Sequence, residues 1–374
     1  MARLENICTI NMGQSPDSAS YNETGEGIPF FQGNADFGEI NPKVRVWCSV
    51  PTKIAHDGDI LISVRAPIGA LNIANTECCI GRGLAALTVN EVICEQGYLW
   101  HAIATKVEEL NAKGTGSTFK AISKNVLAEA EIPLPPIDQQ QQIAATLDKV
   151  TDLISLRKQQ ITKLDELVKS QFIELFGDPV QNEKNWPMVR LADIALIRIG
   201  PFGSLLHRED YIKDGHALVN PSHIIDGAIV ADRRLTVSED KYQELSAYKL
   251  EIGDVVLGRR GEMGRCAVVY EDGFICGTGS LLIRSGAKIK PYFLQKIISY
   301  PTFKSVIEEK SVGVTMQNLN VPIVSNLLIP NLPLELQEQY INFVEQVDKS
   351  KFEVQKSLDK LQTMKQALMQ QYFG

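Results

Sequence analysis

The chain has 374 residues, a length that suits two or three domains better than one core. Its apolar fraction of 44%, charged fraction of 22% and net charge of −7 are those of a folded protein. They exclude a disordered chain and an indiscriminate polyanion coat, so any contact with nucleic acid must be local. No apolar run reaches the roughly 18–20 residues that span a bilayer, and the first eleven residues lack the basic and apolar regions of a secretory signal. Seven cysteines (Cys8, Cys48, Cys78, Cys79, Cys94, Cys266, Cys276) are odd in number and form no C-x-x-C. That pattern argues against a disulfide framework or zinc ribbon and for a reduced, cytoplasmic setting.

In chain order, the elements come twice. Residues 59–64 and 85–89 are β-rich runs bounded by Gly, Asn and Asp, and a helical segment opens at Tyr98. A hinge, Ile132-Pro-Leu-Pro-Pro136, then breaks the chain before a long helix predicted over 137–176, since proline disfavours helix before it and fits the first helical turn. In the second half, β-rich runs at 254–257 and 266–269 precede a helical segment opened by Tyr292, the hinge Ile329-Pro-Asn-Leu-Pro333 and a second long helix. Gly58-Asp-Ile-Leu recurs as Gly253-Asp-Val-Val, Gly69 as Gly264, and Gly81 and Gly83 as Gly277 and Gly279. From Lys113 the offset settles at 197, so Gly116 and Thr118 match Gly313 and Thr315, and Phe176-Gly177 matches the chain's last two residues. A repeat this long is a duplicated domain, because solenoid units run about 20–50 residues.

The long helices carry the clearest pattern. Positions 143, 147, 150, 154, 157, 161, 164, 168, 171 and 175 alternate spacings of four and three, and eight of the ten are apolar. The same positions plus 197 again hold eight apolar residues. This is a coiled-coil seam that neither helix can bury alone. The expected fold is α+β: two mixed α/β domains, 1–135 and 178–332, alternating with two long helices, 136–177 and 333–374. The helices pair as an antiparallel coiled coil with an internal pseudo-two-fold repeat.

No catalytic machinery stands out. There is no G-x-x-x-x-G-K-[ST], and Gly114-Thr-Gly-Ser-Thr-Phe-Lys120 lacks its Gly-Lys-Ser/Thr. No Asn-Pro-Pro-Tyr-like adenine-methylation motif occurs, and His56, His101, His207, His216 and His223 include no H-E-x-x-H, so no metal site is expected.

The ordered set carries a resemblance. Gly58-Asp59-Ile60-Leu61, Gly116-Ser117-Thr118, Ile132 to Ile137 and Gln139 to Ile143, each with a partner in the second half, resemble the specificity subunit of type I restriction–modification systems over essentially the whole chain. The family often has Glu-Gln where this chain has Gln139-Gln140 and Leu336-Gln337. The resemblance implies a non-catalytic, sequence-specific reader of double-stranded DNA with a bipartite site, each target-recognition domain reading one half. It implies that the helices set the spacing and dock two methyltransferase subunits, which carry S-adenosylmethionine. Two restriction subunits using ATP and Mg join that core in some assemblies; no cofactor is expected in this chain and no membrane partner. The alternatives are a structural coiled-coil adaptor that ignores DNA, a silent specificity cassette, and a self-contained methyltransferase.

Residues 1–135 carry 10 basic and 15 acidic side chains and residues 178–332 carry 18 of each. Neither half is a generic DNA coat, so readout falls to a few well-placed polar side chains. Gly-framed loops supply the candidates: Arg65, Arg82, Ser117, Thr118 and Lys120 in the first half, and Arg259, Arg260, Arg265, Thr315, Gln317 and Asn318 in the second. The Gly-x-Thr element has a structural reading too, because its Gly and Thr occur in both copies. Exposed helix faces bearing Gln140, Arg157, Lys158, Gln337 and Lys356 are the candidate partner surface, with plain solubility as the other explanation.

Overall fold

The computed structural model describes residues 1–116, 120–311 and 318–374. The heptad signal becomes two 40-residue helices, Ile137–Phe176 and Leu334–Phe373. Each is about 60 Å long at 1.5 Å per residue. Every position of both predicted seams is buried or half-buried, while the intervening charged positions face water. The chain packs into two units, Met1–Gln160 with Val354–Gly374, and Ile161–Glu353. Both long helices therefore serve both units, a partition that crosses the helices instead of following the hinges.

Within each unit the helix segments run antiparallel. In the first, Arg157 Nε donates to Ser357 Oγ at 3.3 Å, and Asp148 lies close enough to Lys365 to act on its charge. In the second, Lys351 Nζ meets Asp165 Oδ1 at 2.6 Å, and Phe172 packs on Tyr340 with ring centroids 5.5 Å apart. Arg157 and Lys351 are polar seam positions, and these contacts give each one an acceptor on the facing helix. Polar seam residues of this kind fix register at some cost in stability.

The globular parts repeat one plan. In the first unit a four-stranded antiparallel sheet runs Cys8–Met12, Leu84–Val89, Ile60–Ser63, Leu71–Ile73. In the second the order is Ala195–Ile199, Ser280–Ser285, Val255–Gly258, Cys266–Val268. A second small sheet in each unit contains one parallel pair: Phe30 and Phe31 beside Cys79 and Ile80, and Leu218 and Val219 beside Ile275 and Cys276. The Gly-Asp element is the turn that starts the third strand of the larger sheet. Gly58 and Gly253 sit at φ +87° and +93°, where a Cβ is disfavoured. The buried Asp59 and Asp254 carboxylates accept the N–H of His56 and Glu251, both at 2.8 Å. All seven cysteines are free and buried, and burial pushes the Cys8, Cys78, Cys94 and Cys266 thiols up to about 12.

Two devices seat the sheets on the helices. Gln140 is fully buried; its Nε2 donates to Ile93 O (3.1 Å) and Pro135 O (2.8 Å), and its Oε1 accepts from Glu95 N (3.0 Å). Gln337 repeats the clamp with Lys288 O (3.2 Å), Leu332 O (2.9 Å) and Lys290 N (2.9 Å). Aromatic packing completes the seat. Phe373 lies 5.2 Å from Tyr98 in the first unit, and Phe176 lies 4.8 Å from Phe293 in the second. Burying each such ring contributes about 1.5–3 kcal/mol. Gln140 and Gln337 thus correct the partner-surface expectation: they are buried on the sides of the helices that meet the domains, because backbone groups at the domain edge need their amides.

Gln140→Ala leaves one N–H and two carbonyls without their side-chain partner. Unmet buried groups cost about 1–3 kcal/mol each, so with three of them the variant should lose at least about 3 kcal/mol in denaturant unfolding. Gln142→Ala, exposed on the same helix, should stay within about 0.5 kcal/mol of the parent.

Candidate nucleic-acid interface

Short loops gather at one end of each four-stranded sheet, and backbone hydrogen bonds put them in equivalent places. In the first unit Val64 N donates to Gly83 O (2.9 Å), Ile122 N to Val64 O (2.9 Å) and Gly13 N to Leu84 O (2.9 Å). In the second, Arg259 N donates to Gly279 O (3.0 Å), Leu319 N to Arg259 O (2.9 Å) and Gly200 N to Ser280 O (3.1 Å). Four loops therefore converge in each copy: the one after the first strand, the one after the Gly-Asp strand, the paired-glycine turn and the one before the last short helix. Isolated bridges, Arg65 with Ala121 and Arg260 with Asn318, close the cluster. The glycines are needed for this approach: a Cβ on Gly13 would stand 2.2 Å from Gly81 O, and one on Gly200 1.9 Å from Gly277 O.

Most of the sequence-derived candidates fall on this cluster, and the structure sorts them. Arg65, Arg82, Lys120 and Arg260 are exposed, and none makes a side-chain hydrogen bond or ion pair among the described residues. Arg259 occupies the position of Val64, which is buried in the first unit. Its half-buried guanidinium donates from Nε to Asn318 Oδ1 at 3.0 Å. Burial, and then the like charge of Arg260, draw its pKa down from the usual arginine value. Arg265 donates to Pro221 O at 3.3 Å and pairs with Glu262. Arg259, Asn318 and Arg265 are therefore half-buried and each makes a bond that holds the loops. Ser117, Thr118, Thr315 and Gln317 lie outside the described residues.

The candidate partner residues separate in the same way. Arg157 is half-buried and bonds Ser357 and Gln160, so it belongs to the seam. Lys158 and Lys356 are exposed on the helices. Among the described residues no group of three or more His, Cys, Asp or Glu could hold a metal ion, and no helix is long and apolar enough to cross a membrane.

Superposing the equivalent hydrogen bonds also shows which tips differ. The first cluster presents Ser15, Arg65 and Arg82; the second presents Phe202, Arg260 and Thr278 at the matching places. Ser15 and Phe202 follow Gly13 and Gly200 by two residues, a correspondence the sequence hid because the offset there is 187 and not 195–197.

Comparison with known proteins agrees with this plan. The family described as type I restriction modification DNA specificity domain matches residues 1–166 and 183–363, once per repeat. The putative type I restriction enzyme MjaX specificity subunit of Methanocaldococcus jannaschii is 41% identical over 165 residues, 44% of this chain but 39% of that protein's length. The EcoBI specificity subunit of Escherichia coli is 20% identical over 405 aligned positions, covering 99% of this chain and 84% of the relative. A crystal structure of the type I restriction–modification S subunit from M. genitalium shares the fold, with a TM-score of 0.61 and 16% identity over all of this chain and 95% of that one. With its duplicated frame matched twice by the same domain family, this chain belongs to the type I restriction–modification DNA specificity family.

Proposed function

We propose that the chain is the DNA-reading subunit of a type I restriction–modification assembly, each loop cluster reading one half of a bipartite double-stranded site. The observation that carries this is the pair of equivalent clusters, built on one hydrogen-bonded frame and tipped with different side chains. A frame kept constant while its tips change is what two readers of two different base sequences require. In this reading the long helices set the spacing between half-sites and dock two methyltransferase subunits, with Lys158 and Lys356 on their exposed faces. Those subunits bring S-adenosylmethionine and perform the methyl transfer, and restriction subunits, where they join, bring ATP and Mg. The specificity chain itself contributes recognition and no catalysis.

Charge fits that division of labour. At net −7 the chain alone has little general attraction for a polyanion, so its own binding is weak and strengthens when partner subunits add phosphate contacts. Arg65 and Arg260 are the exposed cations at matching places in the two clusters. Changing either to Ala should leave thermal stability within about 0.5 kcal/mol of the parent and weaken the assembled complex's grip on DNA. A base contact would cost about 1–3 kcal/mol and relax one position of the corresponding half-site, whereas a phosphate contact would weaken all sequences and lower the salt slope by about one. Unchanged affinity in both variants would remove these arginines from the interface.

The whole reading is tested by mapping methylated adenines by single-molecule sequencing in cells that express the cognate methyltransferase subunit with or without this chain. A split motif that appears only with the chain is expected, and replacing residues 1–135 by the equivalent domain of a relative should change one half of it alone. A complex that assembles yet writes no motif would assign the chain to the silent-cassette or adaptor class.

A further inference from the structure

The second cluster carries one tip of a different chemical kind. Phe202 is 59% exposed and Leu205, on the same loop, 37%. The loop leaves the sheet at Gly200, whose N–H donates to Ser280 O (3.1 Å), and turns at Gly203, where φ is +65°. Ser280 adjoins Gly279, whose carbonyl accepts from Arg259 N, so Phe202 belongs to the loop cluster that presents Arg260. In the first unit the matching residue is Ser15, whose Oγ accepts from the backbone N–H of Arg82 at 3.3 Å. The first cluster thus closes this corner with a hydroxyl, and the second carries there a largely exposed phenyl ring with no ring or cation partner among the described residues.

A folded protein gains little by leaving a ring 59% exposed to water on the loop cluster that also presents Arg260. Among the groups that base edges display in the major groove, one is apolar: the C5 methyl of thymine, which side chains such as Phe contact directly. We propose, on the footing of the DNA-reading function above, that Phe202 is a specificity-determining residue of the second reader and packs against a thymine methyl in its half-site. The first reader, with Ser15 at this corner, makes no such contact.

The test uses the chain assembled with its methyltransferase subunits and a duplex carrying the mapped bipartite site. Each thymine of the second half-site is replaced in turn by deoxyuridine, which removes the methyl and keeps the pairing. At one position the wild-type assembly should bind about four-fold more weakly, the worth of one buried methyl-sized group. Phe202→Ala should bind the thymine duplex correspondingly less well and show no further loss with deoxyuridine, while Phe202→Leu keeps most of the discrimination. Deoxyuridine in the first half-site should leave the Phe202 variants and the parent equally affected.

A second half-site without an A·T pair overturns the inference, as does a Phe202→Ala complex that still distinguishes thymine from deoxyuridine as the parent does. A loss in Phe202→Ala that no deoxyuridine position reproduces also overturns it and indicates a wedge between base steps. These outcomes are separate from failure of the broader reading, in which the wild-type chain itself writes no motif.

Discussion

A 40-residue helix with an apolar stripe along one side is not stable in water until that stripe is covered. Most helical stability in proteins comes from burying such a face and little from intrinsic propensity. Here the cover is the duplicate of the same helix, running the other way, and every seam position of both is withdrawn from solvent. The rest of the chain is arranged on that pairing. The last turn of each helix carries Phe176 or Phe373 into a domain core, and the first turns carry Gln140 or Gln337 into a clamp. Each globular part is therefore held by the start of one helix and the end of the other.

That division separates what must stay constant from what is free to change. The Gly-Asp turn, the paired-glycine turn and the backbone bonds joining the four loops are the same in both copies. Differences collect at the tips: Ser15 against Phe202, Arg82 against Thr278. Charge adds to this contrast, since the first domain is acidic overall and the second balanced. An acidic domain cannot draw a polyanion by its net field, so any such contact would fall to its few exposed cations at short range.

The sequence disclosed the frame more readily than the contacts, and for physical reasons. A seam repeats every 3.5 residues over five heptads, so it survives the loss of single positions such as Arg157 or Lys351. The small mixed sheets are not legible in the sequence because their strands of two to four residues carry too little alternation to stand out. Arg259 and Arg260 look alike as a dipeptide, yet they lie in the loop just past the strand Val255–Gly258, where the backbone path and not a strand's alternation decides which side chain turns inward. One donates inward to Asn318 and the other stands in solvent. Gln140 and Gln337 misled in a different way. Glutamines on a long polar helix read as part of its exposed face, but both are buried, because backbone groups at the domain edge need their amides.

The clamp's choice of partners explains how such a frame accepts divergent domains. Gln140 and Gln337 bond only to backbone groups: two carbonyls and one N–H each, contributed by the segment just before a helix and by the proline hinge. Every residue type except proline offers that N–H, and every residue offers the carbonyl. Ile93, Glu95 and Pro135 on one side and Lys288, Lys290 and Leu332 on the other share almost no chemistry in their side chains, yet are gripped in the same way. A fixed backbone path and a buried ring, Tyr98 or Phe293, are the features of this seat that the two domains share. The loop tips at the sheet end, Ser15, Arg65 and Arg82 in one unit and Phe202, Arg260 and Thr278 in the other, have no part in the clamp that seats their domain on the helices.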